Sequence, residues 1–318
     1  MKIVLAGGSG HVGSLLARAF HQDAHEVVVL SRTQRPMPWR VVTWDARSSG
    51  EWANELEGVD AVINLAGRSV NCRYNSGNRR EIKESRVDST KAIGAAIARA
   101  KIPPRLWLQA STATIYAHRY DAPNDELTGV LGGLEPNAPD TWRFSIDVAR
   151  SWERTVEEAG PLPNTRTLLL RSAIIMSPDD GGAFDMLLRL VRFGLGGQSG
   201  NGRQYVSWIH EADFVRSIYW LIANEAISGA VNLAAPNPLP NAEFMRALRE
   251  AWGMPLGLPA TEWMLEIGAF FLRTETELIL KSRRVIPTRL MQHGFEFRFP
   301  EWPAAARDLC AQWRLLRA

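Results

Sequence analysis

The sequence predicts a doubly wound α/β fold, a parallel sheet with helices on both faces, followed by a smaller and mainly helical lobe. Apolar runs that predict buried strands alternate with helical stretches up to about residue 171, a pattern typical of parallel sheets. Beyond residue 172, helical stretches are separated by loops rich in glycine and proline, such as GLGGQSGNG and APNPLP. The chain therefore divides into a sheet domain over residues 1–171 and a second lobe over residues 172–318.

Six strands are predicted, over residues 2–6, 26–30, 40–44, 61–65, 106–110 and 167–171. Helices are predicted over residues 11–21, 79–100, 142–159, 184–193, 211–224, 242–252 and 261–283. Ligands of doubly wound sheets bind at the carboxyl ends of the strands. The second lobe is placed to cover those ends, so we expect it to contact the substrate.

Composition excludes several classes of protein. A chain of 318 residues that is 46% hydrophobic can bury a large core. The net charge of +3 is small and the arginines are scattered, so we expect no nucleic-acid surface. No stretch approaches the ~20 apolar residues of a membrane helix, and we expect no signal peptide. Cys72 and Cys310 form neither a disulfide framework nor a metal cluster, which favours the cytoplasm.

A glycine-rich turn, LAGGSGHVGS, follows the first predicted strand. Gly7, Gly10 and Gly13 form the pattern G-x-x-G-x-x-G between a strand and a helix, the context in which such turns bind a dinucleotide pyrophosphate. Gly7 would make the tight turn, Gly10 would admit the pyrophosphate, and Gly13 would allow close helix packing. The residues expected to contact the cofactor here are Gly7, Ser9, Gly10, His11, Val12 and Gly13.

The end of the second strand indicates which dinucleotide binds. An NAD site places Asp or Glu there, whereas this chain reads VVVLSRT. Ser31 and Arg32 suit the 2′-phosphate of NADP, and Arg35 could add a second guanidinium; the less favoured alternative is that Arg32 is a solvated loop residue. Asp45 would accept a hydrogen bond from the adenine, and NLAG would pass close to the cofactor ribose at Leu65, Ala66 and Gly67. Asp45 and NLAG could instead form ordinary turns.

Several motifs together resemble the extended short-chain dehydrogenase/reductase superfamily, of the nucleoside-sugar epimerase and dehydratase type. They are GGSGHVG, NLAG, STATIYA (residues 111–117) and SWIHEAD (residues 207–213). NLAGRSV, GGAFDMLLRLVRFGLGG and SRRVIPTRLMQHGFEFRFP resemble an atypical epimerase-like branch that has its own small C-terminal domain, here over about residues 255–305. The resemblance runs nearly end to end and implies the Rossmann fold.

The resemblance also shows that the catalytic motif of the superfamily is missing from this chain. Enzymes of the superfamily use Tyr-x-x-x-Lys, in which the lysine lowers the pKa of the tyrosine that exchanges a proton with the substrate. These positions fall at Ser145 and Ala149, and no lysine lies between Lys101 and Lys281. The dyad is absent, and a serine hydroxyl without a neighbouring lysine is a poor proton donor. We therefore expect any catalysis to be slow and independent of Ser145.

Other residues remain at the expected site. Thr112 matches the superfamily Ser/Thr that orients the substrate oxygen, and Tyr116 is the best-placed proton donor, although it could only line the pocket; His118 is a further candidate. The resemblance implies further cofactor contacts at Arg86, Ala110, Ser111 and Arg171. Arg73, Tyr205 and His210 are candidate substrate ligands, with Arg73 and Arg86 able to bind an anion or to remain solvated.

Two functional hypotheses follow. The first is an NADP(H)-dependent oxidoreductase or epimerase-like enzyme that acts on a small polar substrate without the usual dyad. The second is a non-catalytic NADP(H)-binding sensor or scaffold, because the fold alone does not imply catalysis. In both we expect a small-molecule ligand and no nucleic acid, membrane or metal, and we leave open whether the chain forms a homodimer.

Overall fold

The computed structural model describes residues 1–136, 138–261 and 277–318. Its strands are β1 (Lys2–Ala6), β2 (Glu26–Ser31), β3 (Arg40–Thr43), β4 (Ala61–Asn64), β5 (Leu106–Thr112), β6 (Arg166–Ser172), β7 (Ile174–Met176), β8 (Tyr205–Val206), β9 (Trp208–His210), β10 (Gly229–Leu233) and β11 (Leu239–Pro240). The helices are α1 (His11–Gln22), α2 (Ser76–Arg99), α3 (Asp140–Glu158), α4 (Ala183–Arg192), α5 (Glu211–Ala223), α6 (Asn241–Trp252), α7 (Glu277–Leu280), α8 (Thr288–Gln292) and α9 (Trp302–Leu315).

Seven parallel strands form the central sheet, in the order β10-β6-β5-β4-β1-β2-β3. Alternate residues of each strand point to opposite faces, so Ile3 and Leu5 pack with α1 and α5 while Val4 packs with α2. Both faces are apolar, which explains why the strands read as continuous hydrophobic runs. The doubly wound fold predicted from the sequence is confirmed.

The second half of the chain contributes to both parts of the molecule. β10 completes the central sheet beside β6, and Phe214 and Ile218 of α5 belong to its core. The remaining elements form a lobe in which Phe184, Trp208 and Trp302 are fully buried between α4, α6 and α9. This lobe is mainly helical but also contains the small sheets β8–β11 and β7–β9.

Most of the helix predicted over residues 261–283 lies outside the described residues, and residues 277–280 of it are helical. Among the described residues, no helix combines the length and the apolar character that a bilayer-spanning segment requires. Cys72 and Cys310 are both free.

Candidate functional site

The turn between β1 and α1 requires glycine at two positions. Gly7 has a φ of +74°, a conformation that favours glycine, and a Cβ added there would lie 2.6 Å from the Cα of Ala66. A Cβ added at Gly13 would lie 2.4 Å from the Cα of Gly8. These two glycines therefore allow the turn to pack against the loop after β4 and against the start of its own helix.

Gly10 differs from Gly7 and Gly13 because nothing crowds it. The nearest atom to an added Cβ is the carbonyl oxygen of Gly7, at 3.7 Å. Gly10 caps α1 without any side-chain hydrogen bond to the helix. The first backbone N–H groups of a helix have no partner within it, so those of His11, Val12 and Gly13 can bind an anion. The turn fits a dinucleotide pyrophosphate, which needs both free amides and space beside the backbone.

The end of β2 meets this turn through two serines. The Ser31 hydroxyl donates a hydrogen bond of 3.1 Å to the Ser9 hydroxyl and accepts one from the Thr33 N–H. These residues and Arg35 line a cavity of about 80 Å³ beside the turn. Arg32 and Arg35 are exposed, and within the described part of the chain neither forms an ion pair. With no carboxylate at this strand end, the cavity suits a phosphorylated ribose.

The loop after β3 is organised by Asp45. One carboxylate oxygen of Asp45 accepts hydrogen bonds from the backbone N–H groups of Arg47 and Ser48. Hydrogen bonds from Ser48 and Arg47 lower the pKa of Asp45. The carboxylate is exposed and ionised at neutral pH, so it remains available as an acceptor for the adenine amino group.

The loop after β4 passes over Arg86. A Cβ added at Gly67 would lie 3.2 Å from the Arg86 Cγ, and the Arg86 guanidinium donates to the carbonyls of Arg68 and Ile82. Burial lowers the pKa of Arg86 to about 10. Leu65 and Ala66 are held by β1 and by the Asn64 side chain. Arg86 therefore supports this loop from its buried side, whereas Gly67 lies on its solvent-exposed side.

Tyr116 lies in a buried polar network. It is 2% exposed, and its hydroxyl donates to Asn232 and accepts from Arg171, each at 3.0 Å. Burial raises the pKa of Tyr116. Because its hydroxyl is enclosed and fully hydrogen-bonded, we revise the expectation that Tyr116 donates the catalytic proton and assign it a structural role.

Arg171 anchors the same network. Its guanidinium donates one hydrogen bond to each carboxylate oxygen of Glu153. Oε1 of Glu153 also accepts a hydrogen bond of 2.6 Å from the Ser111 hydroxyl. Burial acts to lower the pKa of Arg171, but the hydrogen bonds with Glu153 outweigh it and raise the pKa. Arg171 and Ser111 are thus joined through a buried carboxylate behind the carboxyl end of β5.

Thr112 and Ala110 at that end of β5 remain partly accessible. The Thr112 hydroxyl accepts a hydrogen bond of 3.2 Å from the Thr114 N–H. A hydroxyl that accepts from the backbone can still donate its own proton. Thr112 therefore lies at the strand end with a proton that it can donate, and its role toward a substrate oxygen stays a prediction.

The candidate ligands from the second lobe are held by structural contacts. His210 is fully buried, caps α5 by accepting from the Ala212 N–H, and contacts Asp308 of α9 at 3.1 Å. Burial lowers the pKa of His210, so it is a neutral capping residue. We therefore withdraw it as a substrate ligand.

Tyr205 and His118 contact the C-terminal segment. The backbone of Tyr205 hydrogen-bonds to the Ser282 hydroxyl and the Arg283 N–H, and the Arg284 guanidinium lies over the Tyr205 ring. His118 accepts from the Ser282 N–H through Nδ1, and burial lowers its pKa. Arg73 is partly buried in the loop before α2. Of these candidates, Arg73 remains a proposed substrate ligand.

Sequence reasoning missed three charged residues of the C-terminal segment that reach this site. Glu277 and Lys281 are each 1% exposed and Arg283 is 8% exposed. The Lys281 ammonium donates to the Thr114 carbonyl at 2.8 Å, and burial lowers its pKa to about 8. The available signal was that Lys281 directly precedes the motif SRRVIPTRL and that Arg283 lies within it. Only tertiary structure shows that they approach β5 and α3.

Comparisons with known proteins bear on the family of the chain. A profile described as the NAD dependent epimerase/dehydratase family matches residues 3–234, and a domain of unknown function, DUF1731, matches residues 260–309. The chain is 30% identical to the epimerase family protein SDR39U1 of Bos taurus, covering 98% of this chain and 100% of the relative. It is 29% identical to the epimerase family protein YfhF of Bacillus subtilis, with 98% of each covered.

Two solved structures extend the comparison. The human epimerase family protein SDR39U1, crystallised with NADPH, is 29% identical, with a TM-score of 0.84, and 98% of this chain and 99% of that chain are covered. The nucleoside-diphosphate sugar epimerase from Corynebacterium glutamicum is 26% identical, with a TM-score of 0.73, and 100% of this chain and 61% of that chain are covered.

Proposed function

Because this chain belongs to the NAD dependent epimerase/dehydratase family, we propose that it is an NADPH-dependent oxidoreductase or epimerase-like enzyme. Its substrate is a small polar carbonyl compound or alcohol. The turn at Gly10 carries the proposal, since it combines free helix amides with space for a pyrophosphate. The human relative crystallised with NADPH supports the choice of cofactor.

The residues proposed to hold the cofactor lie along one edge of the sheet. The amides at His11, Val12 and Gly13 would bind the pyrophosphate, and Ser9, Ser31, Arg32 and Arg35 the phosphorylated ribose. Asp45 would accept a hydrogen bond from the adenine. The loop at Leu65, Ala66 and Gly67 would lie along the nicotinamide ribose. Ala110 and Ser111 would lie beneath that ribose, and Arg86 and Arg171 would support the surrounding loops. Bound NADPH supplies a hydride, and the protein provides orientation and the path of a proton.

A titration tests the cofactor part of the proposal. We expect protein fluorescence to report NADPH binding at least about tenfold tighter than NADH binding, because two guanidinium groups that form no ion pair with any described residue would lie near the 2′-phosphate. Equal titration curves for the two cofactors would overturn the choice of NADPH. Oxidation of bound NADPH by a panel of aldehydes, ketones and quinones, followed by absorbance at 340 nm, tests catalysis.

One observation favours the non-catalytic alternative. The residue expected to replace the missing tyrosine, Tyr116, is enclosed by Arg171 and Asn232. A protein that binds NADPH tightly but oxidises it with no member of the panel would be a sensor or scaffold. Turnover with any member would exclude that alternative.

A further inference from the structure

Ser145 occupies the position of α3 at which the superfamily carries its tyrosine, and it has an unexpected partner. The Ser145 hydroxyl donates a hydrogen bond of 2.5 Å to Oε2 of Glu277, a residue 132 positions further along the chain. Ser145 itself is only partly buried, whereas Glu277 behind it is 1% exposed. The Ser145 hydroxyl also hydrogen-bonds with the hydroxyl of the buried Tyr74. A partly buried serine therefore lies between a tyrosine and a carboxylate that is shielded from water.

Glu277 is held in place by Arg283. Its other oxygen, Oε1, accepts from Nη2 of Arg283 at 3.2 Å. The same guanidinium donates through Nε to the Thr114 hydroxyl at 3.3 Å, and the Thr114 N–H donates to the Thr112 hydroxyl. A continuous chain of hydrogen bonds thus joins Ser145 on α3 to Thr112 at the end of β5. These are the two positions at which the superfamily carries its reacting hydroxyl groups.

We propose that Ser145 and Glu277 form a proton relay that replaces the missing Tyr-x-x-x-Lys dyad. The proposal rests on the proposed oxidoreductase function and gives a role to the C-terminal segment. Ser145 is the catalytic residue that touches the substrate oxygen. Glu277 acts through Ser145, and Arg283 positions Glu277.

The relay balances in both directions. In alcohol oxidation the substrate hydroxyl gives its proton to Oγ of Ser145 while the proton of Ser145 passes to Oε2 of Glu277. The electron pair of the substrate C–H bond leaves as hydride to NADP⁺, and a carbonyl forms. In carbonyl reduction the protonated Glu277 returns its proton through Ser145 to the substrate oxygen. A buried carboxylate as proton acceptor removes the objection that a serine at this position has no activating neighbour.

Two other serines of the chain also donate to a carboxylate and can be compared with Ser145. Ser48 donates to Asp45, but this pair is exposed, so water weakens the effect of the carboxylate. Ser111 donates to Glu153, and Arg171 holds that carboxylate as Arg283 holds Glu277, but Ser111 is buried. Ser145 is less exposed than Ser48 and less buried than Ser111, and its carboxylate is shielded from water as that of Glu153 is.

Labelling with diisopropyl fluorophosphate tests the relay without a substrate. The Ser145 oxygen attacks phosphorus, the P–F bond breaks, fluoride leaves, and the serine proton passes to Glu277. Peptide mass mapping should show Ser145 labelled at least about tenfold faster than Ser48, with Ser111 unlabelled. Glu277→Gln should remove that advantage.

Glu277→Gln removes the carboxylate that pairs with the buried Arg283, which also destabilises the fold. Glu277→Asp therefore serves as a second variant, because it retains the charge but withdraws it from Ser145, and it should slow labelling. The comparison of Ser145 with Ser48 in the unmodified protein needs no variant. An unlabelled Ser145, or equal rates in folded Glu277→Gln, would overturn the relay.

Turnover separates this proposal from the proposed function. With NADPH and 9,10-phenanthrenequinone as the probe, Ser145→Ala and Glu277→Gln should each lower kcat by at least about tenfold. The NADPH Kd should stay constant, and Ser145→Thr should restore part of the rate. No NADPH binding or turnover by the unmodified protein would count against the proposed function, leaving the relay to be judged by labelling. Full turnover in both variants would count against the relay alone.

Discussion

The two ends of the candidate site are built in different ways. The cofactor end, at residues 7–13, consists of backbone amides and glycines that are adjacent in sequence. The opposite end is built from side chains, with Ser145 of α3 joined to Glu277 and Arg283 of the C-terminal segment. Free amides at a helix N-terminus bind phosphate whatever the side chains are, whereas proton transfer needs particular functional groups. The proposed cofactor end is therefore encoded by a local motif, whereas the proposed reactive end depends on residues that are distant in sequence.

The largest expected effect contrasts two glycines of the same turn. Gly10→Val places a branched side chain where the pyrophosphate would lie, so we expect NADPH binding to weaken by more than about a hundredfold with the melting temperature unchanged. Gly13→Val should instead destabilise the fold, since its Cβ would overlap the backbone of Gly8. Calorimetric titration and thermal melting measure the two effects. Unchanged affinity in Gly10→Val would show that the turn binds no pyrophosphate.

The arginines after β2 should give a smaller effect that is confined to the phosphorylated cofactor. Charge-assisted hydrogen bonds are worth ~1.5–3 kcal/mol, so Arg32→Ala and Arg35→Ala should each weaken NADPH binding by about ten- to a hundredfold. NADH binding should hardly change. Arg99→Ala, at the far end of α2, is the matched control. If all three variants bind NADPH equally, neither arginine contacts the 2′-phosphate.

Tyr116→Phe distinguishes a structural from a catalytic hydroxyl at the reactive end. The change leaves Nη1 of Arg171 and Oδ1 of Asn232 without the buried hydroxyl that they share, so we expect a loss of ~1–3 kcal/mol in the free energy of unfolding, with turnover unchanged. Tyr219→Phe, which removes a hydrogen bond to Asp23 near the surface, should cost less. Urea denaturation measures both. A tenfold loss of turnover at full stability would return Tyr116 to the catalytic role that the sequence suggested.

The smallest expected effect is a pH dependence at His210. Burial lowers the pKa of His210 below its ordinary value of 6.5, although Asp308 opposes this. The unfolded chain therefore binds the proton more readily, and stability should fall as the pH drops below about 6.5. His210→Asn retains a capping side chain but cannot titrate. Its urea midpoint should change less between pH 8 and pH 5.5, and an equal change in both proteins would exclude His210 as the source.

The sequence predicted the fold because hydrophobic periodicity and turn chemistry are local properties. All six predicted strands are present, and the comparisons confirm the resemblance to the epimerase family. The seventh strand, β10, was not predicted, because it enters the sheet from within a segment that otherwise reads as helices and loops.

The site was harder to predict than the fold. The glycine turn lies where the motif indicates, but burial overrode two inferences drawn from residue type alone. Tyr116 is enclosed by Arg171 and Asn232, 55 and 116 residues away in the chain, and His210 contacts Asp308, 98 residues away. Glu277 could not be found by spacing, since its relation to Ser145 is created only when the C-terminal segment docks.

Hydrogen bonds from the motif SWIHEAD hold that C-terminal segment against the rest of the molecule. The Ser207 hydroxyl hydrogen-bonds to the backbone of Arg283 and Val285. The His210 side chain contacts Asp308. The Asp213 carboxylate accepts hydrogen bonds from the backbone N–H groups of Arg298 and Phe299. During synthesis, the ribosome completes the central sheet and this motif before Glu277 and Arg283 emerge. A nascent chain can therefore fold the proposed nucleotide-binding edge before Glu277 and Arg283, which the proposed relay requires, have been synthesised.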